Sequence, residues 1–281
     1  RDLHATQHSF PTRRSSDLTT NRAAPVQVGS ATTWTWVDLS GWHVLAGRSD
    51  GTLWAWGYNP SGQFGTGDTS PSLVPVQSGP VHDWKVLSTG MVHTLGVRSD
   101  GSLWAWGDNP GGQLGDGTTT DRSAPLRIGT STWTAVAAGG NHTLAVRFDG
   151  TLWAWGANSF GQVGDGTTTA RSAPVQIGAA TTWTAVTAGN QYSVAMRSDG
   201  TLWAWGDNTY GELGDGTTTE RHAPVQVGSA TTWKAVAAGP AYNVAIRTNG
   251  TLWAWGANDT GQLGDGTTTT RTSPAQVGSA A

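Results

Sequence analysis

A β-propeller of four-stranded antiparallel blades is the fold class predicted here, all-β throughout, and three observations predict it. The string LWAWG begins at Leu53, Leu103, Leu152, Leu202 and Leu252, at spacings of 50, 49, 50 and 50 residues. A second series, Trp34, Trp84, Trp133, Trp183 and Trp233, keeps those spacings. Each period holds four short β-prone segments and no helical periodicity, which is the make-up of a propeller blade.

The unit from Trp133 to Gly178 shows the elements in order. Trp133-Thr134-Ala135-Val136-Ala137 is a first strand, ended by Gly139. Leu144-Ala145-Val146-Arg147 and Thr151-Leu152-Trp153-Ala154-Trp155 are the next two, separated by Asp149-Gly150. An Asp-Gly step readily supplies the positive φ values of a tight hairpin. It recurs as Asp50-Gly51, Asp100-Gly101 and Asp199-Gly200, with Asn249-Gly250 in the last unit. A Gly/Thr loop then leads to Val175-Gln176-Ile177, which Pro174 is expected to open, since a proline costs least at a strand's first residue. LWAWG is apolar on both faces, as expected of a strand sandwiched between neighbouring blades. Its tryptophans therefore read as inter-blade packing rather than a ligand platform.

The repeats divide the chain into units of about 30–79, 80–129, 130–178, 179–228 and 229–278. Residues 19–29 repeat the tail of a unit whose own LWAWG segment is missing upstream, which predicts one spare strand and 21 in all. Residues 1–18 share no period with the rest, lack the apolar core of a signal peptide and read as an adapter-derived, unstructured leader.

Composition narrows function by exclusion. The formal charge is −3 and the only lysines are Lys85 and Lys234, so the basic footprint of a nucleic-acid binder is missing. With no cysteine there is no disulfide, zinc-thiolate site or thiol catalysis. No apolar run approaches the roughly 20 residues of a membrane helix, so no membrane insertion is expected.

Gly139, His142, Asp149-Gly150, Trp155-Gly156, Asn158 and Gly161-Gln162-Val163-Gly164 form a combined pattern that all five units follow. It resembles the regulator of chromosome condensation repeat, G-x-x-H-T followed by D-G-x-hydrophobic-aromatic-x-W-G-x-N-x-x-G-Q-L-G. The resemblance implies a seven-bladed ring, of which five blades are present, and hence an open arc whose two end blades are uncovered. Family members range from a small-GTPase nucleotide exchange factor that docks on chromatin to a plant ultraviolet sensor and a secreted bacterial β-lactamase inhibitor. The near-identity of these units, with GDGTTT four times over, is similar to bacterial surface arrays. That implies an extracellular or cell-surface location.

Candidate chemistry is sparse. His43, His93 and His142 share one unit position with Tyr192 and Tyr242, which fits a structural ring with a hydrogen-bonding tip, not a metal ligand. Asp116, Asp165, Asp215 and Asp265 stand alone in GDGTTT loops without the alternating acids of a calcium loop. Glu212 replaces a glutamine found at Gln63, Gln113, Gln162 and Gln262, and one carboxylate makes no acid–base pair. No serine lies in a G-x-S-x-G elbow, so no catalytic residue, cofactor site or metal site is assigned, and the chain is not read as an enzyme. Gly41-Trp42-His43 is similar to the plant photoreceptor's light-sensing motif, but the other units do not repeat its tryptophan.

What varies between units is exempt from shaping the blade. Trp42, Tyr58, Met91, Phe160 and Tyr210 vary in this way, and aromatic residues and methionine are common in protein interfaces. The predicted function is a non-catalytic protein–protein interaction module binding through propeller-face loops. A face used as an enzyme inhibitor and a small-GTPase exchange factor are the alternatives.

Overall fold

The computed structural model describes residues 24–80 and 83–278. The chain divides into two compact units, 1–32 and 33–281. In the first, the described residues 24–32 form no strand. The expected spare strand falls on 19–29, of which only 24–29 lie among the described residues, and no strand is formed there. Every fourth strand elsewhere pairs with an LWAWG strand, and no LWAWG precedes Pro25. The expected leader, 1–18, lies outside the described residues.

The second unit is all-β. Blade 1 comprises β1 (Trp34–Ser40), β2 (His43–Arg48), β3 (Leu53–Gly57) and β4 (Ser72–Gln77). Blade 2 has β5 (Trp84–Thr89), β6 (His93–Arg98) and β7 (Ser102–Gly107), and runs into β8 (Arg122–Ala138). Blade 3 continues from β8 into β9 (His142–Arg147), β10 (Leu152–Gly156) and β11 (Arg171–Gln176). Blade 4 is β12 (Trp183–Ala188), β13 (Tyr192–Arg197), β14 (Leu202–Gly206) and β15 (Arg221–Gln226). Blade 5 is β16 (Trp233–Ala238), β17 (Tyr242–Arg247), β18 (Leu252–Gly256) and β19 (Arg271–Val277). Each blade pairs its strands antiparallel in sequence order.

β8 serves two blades, so blades 2 and 3 share one seven-stranded sheet. The cause is the 49-residue spacing. The linker Gly129-Thr130-Ser131-Thr132 before Trp133 is one residue shorter than Gly178-Ala179-Ala180-Thr181-Thr182 before Trp183, and it is drawn out straight.

Local geometry departs from two expectations. Among the described residues no non-glycine residue has positive φ, so the Asp-Gly step is not a type I′ turn. Instead Gly150 N donates to Arg147 O at 2.9 Å and Gly150 alone has a positive φ, of 77°. This is a three-residue loop with a glycine bulge. Asp149 stays right-handed because its carboxylate accepts from Thr151 N and Oγ1 at 3.0 and 2.6 Å. The second departure is Pro174, which lies inside β11, not at its start. It faces an irregularity between Ala154 and Gly156 on a strand that ends the sheet, where no ladder donor is lost.

The core is divided among the blade junctions. Leu144, Val146, Leu152, Ala154, Val163 and Ile177 of blade 3 bury against Trp183 and Trp205 of blade 4. The next junction uses Val194, Leu202, Leu213 and Val227 against Trp233 and Trp255. Burying an indole removes about 150–250 Å² from water, on the order of 4–6 kcal/mol before entropy is subtracted. Polar groups stitch the same junctions. Asp38 Oδ2 accepts Thr89 N, Ser88 Oγ accepts Ala138 N, and Thr187 Oγ1 accepts Ala238 N.

Blades 1 and 5 do not cover each other. On blade 1, Val37 and Leu39 face away from blade 2 and are exposed. On blade 5, Leu252 is 38% exposed, whereas Leu202 at the same position of blade 4 is 0%. The propeller of the second unit is open.

Candidate functional site

Two loops stand at one end of every blade: the turn after the first strand and the loop after LWAWG. They are tied together in each blade by one backbone bond, from Tyr58 N to Trp42 O (2.9 Å), Asp108 N to Val92 O (3.0 Å), Ala157 N to Asn141 O (2.8 Å), Asp207 N to Gln191 O and Ala257 N to Ala241 O (both 2.9 Å). Consecutive turns also join. Gly140 N donates to Gly189 O, and Asn190 N to Pro240 O, both at 3.2 Å. The result is a continuous loop face resting on the blades.

A ring of buried side chains supports this face. His43 Nε2 lies 3.1 Å from Thr94 Oγ1, His93 Nε2 3.3 Å from Thr143 Oγ1, and His142 Nε2 2.9 Å from Ser193 Oγ, each pair crossing to the next blade. Tyr192 continues the series by donating its hydroxyl towards Tyr242 O at 2.7 Å. Burial lowers His43 and His142 to about 4. Burial, with the neighbouring His142 and His43, lowers His93 to about 3. All three are neutral near pH 7, and each is spent on the junction rather than presented to a ligand.

Below the ring, one carbonyl per junction is shared. Gln113 O accepts from Thr143 Oγ1 (2.8 Å) and Trp155 Nε1 (2.9 Å), and Glu212 O accepts from Asn243 Nδ2 (2.7 Å) and Trp255 Nε1 (3.0 Å). The Glu212 carboxylate accepts from Tyr210 N at 2.7 Å, and burial raises it to about 7.

The acids of the GDGTTT loops are consumed within their own loops. Asp165 accepts from Thr167 N and Oγ1 at 3.0 and 2.7 Å and pairs with Arg171, while Asn158 Nδ2 bridges to Thr167 O and Thr169 O. Among the described residues no group of three or more potential metal ligands forms.

The variable residues all belong to the loop face. Trp42 and Tyr58 are brought together, their rings 5.8 Å apart and tilted by 47°. They are 47% and 37% exposed. Met91 is half-buried in the turn of blade 2, Phe160 is half-buried at the loop tip of blade 3, and Tyr210 is exposed at that of blade 4. Phe160 and Tyr210 occupy one loop position and Tyr58 another, so the five do not form a single cluster. The turns and loop tips also carry Asp108, Asp207 and Asp259 but no lysine or arginine. The face is therefore acidic as well as aromatic.

Sequence reasoning missed the arginines at the opposite end. Arg48 stacks over Trp34 and Trp54 with its guanidinium carbon 4.5 and 3.9 Å from the ring centres, and Arg247 does so over Trp233 and Trp253 at 4.6 and 3.7 Å. An arginine closing every second strand, always opposite a tryptophan, was the available signal. These stacks hold the half-buried first tryptophan of LWAWG, while the second is the one buried in the junction.

Comparison with solved structures gives the same architecture. Human WBSCR16 superposes with a TM-score of 0.77 at 22% identity, covering 87% of this chain and 67% of that one. Yeast RCC1 (Prp20), in its structure with Kap60, gives a TM-score of 0.74 at 24% identity, covering 84% of this chain and 59% of that one. A second Prp20p structure, from Saccharomyces cerevisiae, gives 0.72 at 24% identity, with coverages of 84% and 61%. The chain thus spans about three fifths of the yeast protein's length. No curated protein matches the chain. The sequence profile described as the RCC1-like domain matches residues 8–280, and the chain belongs to that family.

Proposed function

We propose that this chain is a non-catalytic protein-binding module whose loop face takes a partner with a basic surface. The observation that carries the reading is the exposed Trp42–Tyr58 ring pair, in tilted contact, on a face with Asp108, Asp207 and Asp259 and no lysine or arginine. Rigid aromatic side chains supply contact area at low entropic cost, and one-signed charge steers and selects the partner. Met91, Phe160 and Tyr210 extend the contact along the same face. An enzyme inhibitor is the form of this binding that an aromatic and acidic face favours. The near-identity of the units supports a bacterial, extracellular setting.

The test is affinity isolation with the parent and with Trp42→Ala/Tyr58→Ala. A partner retained by the parent, released by salt and lost by the double variant supports the reading. Equal retention by both would overturn it.

A second reading has one specific support. The yeast relative Prp20p is described with its binding to Gsp1p and histones. On that basis the chain would act as an exchange factor for a small GTPase. Release of a fluorescent guanine nucleotide from a small GTPase, accelerated by the chain, would favour it over simple binding.

A further inference from the structure

Away from the loop face, between blades 1 and 2, lies a cleft of about 370 Å³. It falls within the size range of small-molecule pockets, which begins near about 300 Å³. Its origin is a local exchange of side-chain size. β1 and β2 pair Trp36 with Gly47, where the other blades pair Val86 with Val97, Ala135 with Val146, Ala185 with Met196 and Ala235 with Ile246. Any Cβ at Gly47 would come within 2.0 Å of the Trp36 ring, so the large residue requires the small one. At the next junction Val97 fills this place against Trp133. At the first junction the Trp36 ring lies over Gly47 in place of that aliphatic side chain, and the cleft opens beside it towards Trp84.

The walls have a definite chemistry. Trp36 and Trp84 supply aromatic surface from two blades, and Arg48 lines the cleft between them. Arg98, its counterpart in blade 2, donates through Nε to Asp83 at 2.6 Å. Arg48 has no carboxylate within ion-pair distance among the described residues; indole faces hold it instead. Position 33, where blade 2 has Asp83, is threonine. Asp50, beside the cleft, has Oδ1 engaged by Thr52 N and Oγ1 at 2.9 and 2.7 Å. A guanidinium stacked by its faces keeps its planar edge for in-plane hydrogen bonds, and that edge matches a carboxylate in two-point fashion.

We propose that this cleft is a binding site for a planar aryl carboxylate. The ring lies against Trp36 and Trp84 and the carboxylate meets the fork of Arg48. The site is independent of the loop face and needs no residue of it.

The experiment is calorimetric titration of the full chain with 2-naphthoate, and with 2-naphthylmethanol as its neutral counterpart. Saturable binding of one 2-naphthoate per chain is expected, at least tenfold tighter than the alcohol. Arg48→Gln should weaken 2-naphthoate at least tenfold and leave the alcohol unchanged. Trp36→Ala/Gly47→Val installs the Ala135–Val146 pairing of blade 3. It should fold with the parent's melting temperature and lose both ligands. Non-saturable uptake of 2-naphthoate, or equal affinity in the parent and the folded double variant, would overturn the proposal.

Discussion

Trp155 Nε1 donates to the carbonyl of Gln113 across the junction between blades 2 and 3, at 2.9 Å. Trp106, Trp205 and Trp255 repeat the bond to Gln63, Gln162 and Glu212. One residue thus supplies the largest apolar surface of the junction and satisfies its own polar atom there. Trp155→Ala should cost about 3–5 kcal/mol, as large-to-small changes in a packed core do. Denaturant unfolding measures it, and an unchanged midpoint would contradict the packing role.

His142→Tyr is expected to fold and melt close to the parent. The hydroxyl of Tyr192, one unit on, reaches Gly239 O at 3.1 Å and Tyr242 O at 2.7 Å, so a phenol fits this layer and bonds across it. His142→Leu would remove the imidazole from Ser193 Oγ, which keeps its bond to Gln162 O at 2.7 Å, and should lose about 1 kcal/mol. Thermal melts of the two variants side by side separate a hydrogen-bonding role from a steric one.

Two buried sites pull stability in opposite directions with pH. The folded histidines take up protons only near pH 3 to 4, whereas the unfolded chain does so near 6.5. The unfolded state binds more protons in that window, so their contribution is lost as pH falls from about 6.5. Glu212 is the reverse. Its folded value of about 7 lies above the ordinary 4.5, so its contribution is full below 4.5 and lost as pH rises to 7. Glu212→Gln should therefore match the parent near pH 4.5 and exceed it at pH 8, by on the order of 3 kcal/mol. Glutamine also restores a donor of the kind Gln113 Nε2 gives Asp108 at 2.9 Å. Stability measured across pH 4 to 8 for both proteins checks the sign.

The blades were legible because each is a local hairpin series whose signals lie within one period. The Asp-Gly step marked the right turn but the wrong type, since the choice depends on Asp149 bonding to Thr151, two residues on. The fusion of blades 2 and 3 follows from a one-residue deletion whose structural effect needs the partner strands to be seen. At the site, residues that vary between units did share one face. That Trp42 meets Tyr58 while Phe160 and Tyr210 stand apart follows from positions inside loops, which no periodicity encodes. The arginine stacks were missed because cation–π contacts join the first strand to the third through the second.

Ala137→Ser should stabilise the chain. At this position Asp38, Ser88 and Thr187 each accept a backbone N–H from the following blade, and Ala137 has no oxygen to offer Ala188 N. A serine there meets the geometry of Ser88 Oγ, 3.1 Å from Ala138 N. A gain of about 0.5–1.5 kcal/mol is expected for one added hydrogen bond. A loss instead would show that the site, buried in the junction core, has no room for the hydroxyl.

The uncovered face of blade 5 should both weaken the end of the propeller and promote association. Ile246 and Leu252 are exposed there, while Val146 and Leu152, their counterparts in blade 3, are buried. Gly211 and Gly216 of blade 4 contact Thr272 and Ser273 of the following blade, but nothing comes within 4 Å of a Cβ at Gly266. A terminal repeat that lacks its neighbour loses the interface contribution and frays first. Its apolar face also invites association. Appending a copy of residues 179–228 after Gly278 supplies Trp183 and Trp205, which already cover this face on blade 3. The extended chain should unfold at higher denaturant concentration by more than its added length accounts for, and sediment as a monomer at concentrations where the parent associates. Ile246→Lys/Leu252→Lys should suppress association in the parent without raising its stability, because it removes the apolar face but adds no junction. If the appended unit melts separately and leaves the parent's transition in place, the junctions are not interchangeable and the additive account of the blades fails.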